Sequence, residues 1–169
     1  SNRKQQIKMI NKFYKFNGFI NFDYETTTLD TIPKHEMVKK LSDQLNLINP
    51  NIIYIPHHSD IHSDHKIVSE ISISASKWFR LKSIEKILIY ETLSETNFNK
   101  TNIQFAPNEF QDISKFFDKK IKAMQIYKSE LNNHPFPRSE KNIRSLAAYR
   151  GSQSGYKSAE AFELIYERS

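Results

Sequence analysis

The sequence predicts an α/β domain in which helices flank a mainly parallel sheet. Three observations carry that expectation. Apolar residues recur at helical spacing in several segments, and short apolar runs of strand length alternate with them. One of those runs, Ile52-Ile53-Tyr54-Ile55, is apolar without alternation, as expected of a central strand covered on both faces. The 169 residues fit a single globular domain over 1–169.

Taken in order, Ile7, Ile10 and Phe13 outline a first helix from Arg3 to about Phe16, which Asn17-Gly18 stops. Phe19 to Tyr24 alternates loosely and reads as a short strand, and Thr26 to Pro33 is rich in turn formers. Val38, Leu41, Leu45 and Ile48 mark one face of a second helix that ends before Asn49-Pro50. The Ile52–Ile55 strand follows and Pro56 ends it. A polar segment then leads into Ile67, Ile71, Ala75, Trp78 and Phe79, whose spacing predicts a helix with both aromatics in the core. Ile84 to Tyr90 reads as a strand and Ile103 to Phe105 as a short one. Phe117, Ile121, Met124 and Leu131 outline a long helix, with the first and third expected in the core. A shorter helix near Ile143 to Tyr149, a loop at Gly151 and Gly155, and a final segment from Ala159 to Tyr166 complete the chain.

Composition narrows the chemistry. Apolar residues at 38% and aromatics at 12% are enough for a core, so disorder is not expected. The absence of cysteine excludes disulfides, thiolate nucleophiles and cysteine metal sites, so any metal is held by nitrogen and oxygen. With only three glycines there is neither a GxGxxG nor a Walker loop. The net charge of +6 and pI near 9.4 permit anionic partners. The basic residues form no long block, however, and no nucleic-acid partner is expected. No apolar run approaches the ~18 residues of a membrane span, so the expectation is a cytoplasmic protein with no membrane partner.

Four of the six histidines fall between 57 and 65, together with Asp60 and Asp64. This segment follows the strongest strand, and open α/β sheets bind ligands beyond the carboxyl ends of their strands. His62 and His65 are three apart, so a helix starting near Asp64 turns both imidazoles toward one small volume. One could bind a metal while the other moves a proton, with Asp64 orienting His62 as a supporting carboxylate. The same residues also read as a solvated loop with helix-capping aspartates, since HxxH is a weak pattern. Neither His57 nor His58 need converge on the pair, and His35 and His134 stand alone. Arg150, beside Gly151, could reach an anionic or hydroxyl-rich ligand and could equally be a surface arginine.

With these residues in view, the chain resembles the PIG-L/LmbE family of zinc-dependent de-N-acetylases. The likeness rests on Asn49-Pro50 leading into Ile52 to Pro56, then on Asp60-Ile61-His62-Ser63-Asp64-His65, which is similar to the family's D-x-H-x-D-H signature. Proline more commonly stands where Ser63 does. It continues through Tyr90-Glu91, Phe105-Ala106-Pro107-Asn108, Lys120, Tyr127-Lys128-Ser129-Glu130, Arg150-Gly151, Gly155 and Ala159-Glu160-Ala161-Phe162. The resemblance implies a Rossmann-like LmbE-type fold and a zinc-bound water that attacks the acetamide of an N-acetylglucosamine-type conjugate. His65 would be a zinc ligand, and His62 would stabilise the tetrahedral intermediate or protonate the leaving amine. Asp64 would hold His62, while Arg3, Asp60 and Arg150 would contact substrate. The implied partner is a small N-acetylated sugar, and a homo-oligomer is compatible with the resemblance.

One departure matters. The family's first strand ends in a His-Pro-Asp-Asp-type motif that gives two further zinc ligands and the catalytic base, and these 169 residues contain no such motif. Catalytic zinc takes about three protein ligands plus water. The expectation is therefore an N-terminally truncated deacetylase domain whose first strand is missing. The alternative is an inactive homologue that keeps the sugar pocket without the metal.

Overall fold

A computed structural model describes residues 2–168. The chain falls into two compact units, one of residues 2–23 and 110–160, the other of 24–109 and 161–168. Strands β1 (Ile52–Pro56), β2 (Lys86–Tyr90), β3 (Glu109–Asp112) and β4 (Ala159–Glu167) follow the sheet order β1-β2-β4-β3. The class is the one expected, an α/β fold with a four-stranded sheet flanked by helices, but the sheet is mixed and not mainly parallel, since β4 runs against β2.

In the larger unit, β1 and β2 pair in parallel from Ile52↔Lys86 to Pro56↔Tyr90. The 162–167 part of β4 runs antiparallel to β2, from Tyr90↔Phe162 to Lys86↔Glu167. Helix α2 (Lys34–Ile48) packs on α3 (Ser63–Ala75), and α3 on β1. Two apolar clusters hold these layers. Ile55, Leu81, Ile84, Ile87 and Ile89 bury one side of the sheet, and Leu29, Met37, Ile67 and Ile71 fill the space between the helices. Helix α2 stops at Asn49, whose φ of 54° is left-handed, with Pro50 next.

Several expectations for this unit are corrected. β1 lies at the sheet edge, not at its centre. Its burial alternates, with Ile55 2% exposed against 46% for Ile52 and 53% for Tyr54. Ile103 to Phe105 forms no strand; β3 begins at Glu109 instead. Trp78 and Phe79 are exposed in a turn because α3 ends at Ala75, before the helical spacing can carry them inward.

In the smaller unit, α1 (Asn2–Tyr14) packs on α4 (Phe117–Ile126). Phe19 to Tyr24 is not a strand, since Asn21 and Asp23 hydrogen-bond each other and Asp23 has φ 55°. Helix α4 ends at Ile126, and Lys128–Glu130 follow as a 3₁₀ turn. The last helix is longer than expected: α5 (Glu140–Ser154) contains Gly151, and only Gly155, with φ 77°, caps it. A Cβ on Gly151 would stand 2.5 Å from the Tyr156 carbonyl oxygen, so the returning chain requires glycine there.

Candidate functional site

The site forms where β1 gives way to α3. Pro56 ends the strand, and the chain dives inward before it turns: His57 and Asp60 are fully buried and Ser59 nearly so, whereas His58 and Ile61 point outward. His62 is the N-cap of α3. Its φ/ψ of −70°/123° is extended, and its Nδ1 accepts from the Asp64 backbone N–H at 3.2 Å. His65, one turn into the helix, places its Nδ1 2.8 Å from Asp60 Oδ2. The two imidazoles stack with centroids 4.8 Å apart and planes 15° from parallel.

These contacts fix the tautomers. Since His62 Nδ1 accepts, the proton of the neutral ring sits on Nε2. Since Asp60 can only accept when ionised, His65 carries its proton on Nδ1 and keeps the Nε2 lone pair. Two parallel rings therefore present opposite functions, one an N–H and the other a lone pair. Asp60 is itself held, its Oδ1 accepting from Thr96 Oγ1 at 2.6 Å. Thr96 Oγ1 also accepts from the Thr92 N–H at 2.7 Å, which ties the 92–96 segment to the site. Beside Asp60, the Tyr90 phenol is pushed up from its usual value by burial and then by the Asp60 charge.

Behind this pair lies a second polar group. His57 Nδ1 meets Ser59 Oγ at 2.8 Å and the Ser59 N–H at 3.3 Å, so its proton also resides on Nε2. That Nε2 is buried and has no hydrogen-bond partner; Glu163 Oε2 lies 3.7 Å away. Burial lowers the His57 pKa against the raising effect of Glu163. Ser59 Oγ gives its one proton to His57 Nδ1 and accepts in turn from Asn99 Nδ2 at 2.6 Å.

Of the residues singled out in the sequence, the structure brings together Asp60, His62, Asp64 and His65. Two roles differ from those implied. Asp64 holds His62 through its backbone N–H, while its carboxylate accepts from the Thr27 N–H at 2.7 Å. In place of the substrate contact expected of Asp60, the structure gives a fully buried carboxylate committed to His65 and Thr96. Arg3 and Arg150 belong to the other unit. There Arg3 pairs with Glu130 and lies over the Tyr127 ring at 5.2 Å, and Arg150 donates to Gln153 Oε1 at 2.8 Å. Sequence reading passed over Thr96, Ser59 and Glu163, and gave His57 no role.

The donor set does not hold zinc by itself. Among the described residues no three histidine, aspartate or glutamate side chains converge as metal ligands. His65 Nε2 could serve as one ligand, with Asp60 at Nδ1 as the kind of supporting carboxylate that metal-binding histidines commonly have. A three-ligand site needs more than this chain's described residues supply.

Fold and site together define an α/β protein with a histidine pair at the helix that follows a strand's carboxyl end, where open sheets place ligand sites. The comparisons take this further. Residues 1–76, which include α2, β1 and all of α3, match the sequence model of the PIG-L family, described as GlcNAc-PI de-N-acetylase. No curated protein matches the chain. Among solved structures, the conserved protein TT1542 from Thermus thermophilus superposes with a TM-score of 0.77 at 21% identity, over 99% of this chain and 74% of its own. N,N'-diacetylchitobiose deacetylase from Pyrococcus horikoshii gives 0.77 at 18% identity, over 97% of this chain and 63% of its own. GalB, the 4-carboxy-2-hydroxymuconate hydratase from Pseudomonas putida, gives 0.67 at 13% identity, over 99% and 72%. The fold is thus that of the LmbE-type deacetylases, and a hydratase shares it.

Proposed function

We propose that the chain carries the histidine-pair half of a de-N-acetylase acting on an N-acetylglucosamine-type conjugate. A deacetylase and a hydratase share the fold, so the fold alone does not choose the reaction. The choice rests on the PIG-L match over residues 1–76, and the observation that carries the chemistry is the anchoring of both rings at Nδ1, His62 by the Asp64 N–H and His65 by the Asp60 carboxylate, which leaves both Nε2 atoms for other partners. Amide hydrolysis passes through a tetrahedral intermediate whose oxygen carries negative charge, and the departing nitrogen takes up the proton that the attacking water gives up. His62 Nε2–H donates a hydrogen bond to that oxygen, and the α3 cap keeps the neutral ring in the tautomer that can do so. His65, held by Asp60, offers its Nε2 lone pair to a metal. Asp60 is a positioning residue, and Arg3 and Arg150 are the substrate contacts that the family resemblance implies.

Zinc is the cofactor this reading calls for, with His65 as one ligand and the others from protein beyond the described residues. The outer edge of β1, which no described strand pairs, supports a missing neighbouring strand. The test uses the longest natural form of the protein, with zinc content by elemental analysis and free-amine release from N-acetylglucosamine conjugates. His65→Ala is expected to lose the metal. His62→Ala is expected to keep it and lose turnover by about 10²- to 10⁴-fold. Full activity in either variant overturns the roles given. Saturable binding of the conjugate with neither zinc nor amine release supports the inactive sugar-binding homologue.

A further inference from the structure

At the far end of α3 the chain sets two aromatic rings side by side on an exposed turn. After Ala75 it closes a tight turn in which the Lys77 carbonyl accepts from the N–H groups of both Arg80, at 2.8 Å, and Leu81, at 3.0 Å. The turn is clamped at both feet: Ser76 and Leu81 are each 1% exposed, and Ser76 donates from both N and Oγ to the Ser72 carbonyl. Its tip cannot fold inward. Trp78 and Phe79 stand on that tip, each 57% exposed, ring edge to ring face with centroids 5.8 Å apart.

The surroundings are cationic. Lys77, Arg80 and Lys82 are exposed, and the Arg80 guanidinium lies 6.0 Å from the Phe79 ring centre. Lys77 and Arg80 also form one end of a cavity of about 670 Å³ between α2 and α3, to which Lys34, His35 and Lys39 contribute. The nearby acids are engaged: Glu70 pairs with Lys34, Asp43 with Lys39, and Glu85 accepts from Asn51. A two-ring convex tip is far smaller than the ~800 Å² per partner of a stable protein interface. It fits the membrane–water boundary, where tryptophan partitions and basic residues meet anionic headgroups.

We propose that the Lys77–Arg80 turn docks this protein on an anionic lipid bilayer, with Trp78 and Phe79 at headgroup depth and Lys77, Arg80 and Lys82 against lipid phosphates. Docking of this kind needs no spanning helix, and among the described residues no helix is long and apolar enough to span. It differs from the sequence expectation of no membrane partner and does not depend on the proposed catalysis.

The chain carries its own reporter, since Trp78 is its one tryptophan. Mixed with vesicles of phosphatidylglycerol and phosphatidylcholine at low salt, the protein is expected to sediment with them while its tryptophan emission shifts to the blue. Both effects should weaken with salt and on phosphatidylcholine alone. At about fivefold in partitioning per charge, the triple variant Lys77→Gln, Arg80→Gln, Lys82→Gln should bind about a hundredfold more weakly. Phe79→Ser should weaken binding with the reporter intact, and unchanged melting in both variants excludes unfolding as the cause. Three results overturn the proposal: no shift and no sedimentation on the anionic vesicles, a blue shift that grows with protein concentration without lipid, or a shift produced by single-stranded oligonucleotide and not by vesicles.

Discussion

The two ends of α3 depart from ordinary packing in opposite directions. At its N-terminus polar groups are buried: Asp60 and His57 are shut away from water, and Asp60 is bonded to both His65 and Thr96. At its C-terminus the largest apolar rings of the region stand in solvent. Burying a polar group is costly unless it is hydrogen-bonded, and a pair of aromatic rings left side by side in solvent offers a surface for contact. The comparison teaches that the first end is wired for orientation and the second for contact. Substitutions at the first should therefore damage the fold, and substitutions at the second should leave it intact.

Asp60→Ala breaks the comparison most severely. It removes the acceptor of both Thr96 Oγ1 and His65 Nδ1, and a loss of about 3 kcal/mol is expected from the urea midpoint at constant slope. Thr96→Val keeps the shape but takes the donor from Asp60 and the acceptor from the Thr92 N–H, for about 2 kcal/mol by the same measurement. His57→Gln sharpens the contrast through pH. The buried ring has a lowered pKa, so the unfolded chain takes up a proton near 6.5 while the folded one does not. Stability from this group is full above about 6.5 and declines as pH falls toward the lowered value. The variant should show a flatter acid limb in its stability–pH curve. The smallest effect is at the opposite end, where Trp78→Ser and Phe79→Ser should each change stability by no more than about 0.5 kcal/mol. A large loss there would mean that the aromatics support the fold after all.

Much of the first end was legible in the sequence, and little of the second. The Ile52–Ile55 run, Pro56 and the His/Asp segment place the strand, its stop and the site because each acts over a few residues. The partners of that site were not legible. Thr96 comes from a loop and Glu163 from β4, and no local pattern joins either to residues 57–65. Trp78 and Phe79 misled for a physical reason: they continue the three–four spacing of Ile67, Ile71 and Ala75, but the Lys77 turn ends the helix first. The run in β1 misled similarly, since Ile52 and Tyr54 are apolar on the face that the described sheet leaves open.

The antiparallel seam between β2 and β4 has a consequence for synthesis. β2 sits between β1, a near neighbour in sequence, and a strand made long afterwards, with Tyr90 opposite Phe162. A nascent chain emerging from the ribosome can close the parallel pair early, yet it must then wait with one flank of β2 unzipped until β4 is released. Such distant closure slows folding and leaves a sticky intermediate, so chaperone demand during translation should depend on how quickly those final residues arrive.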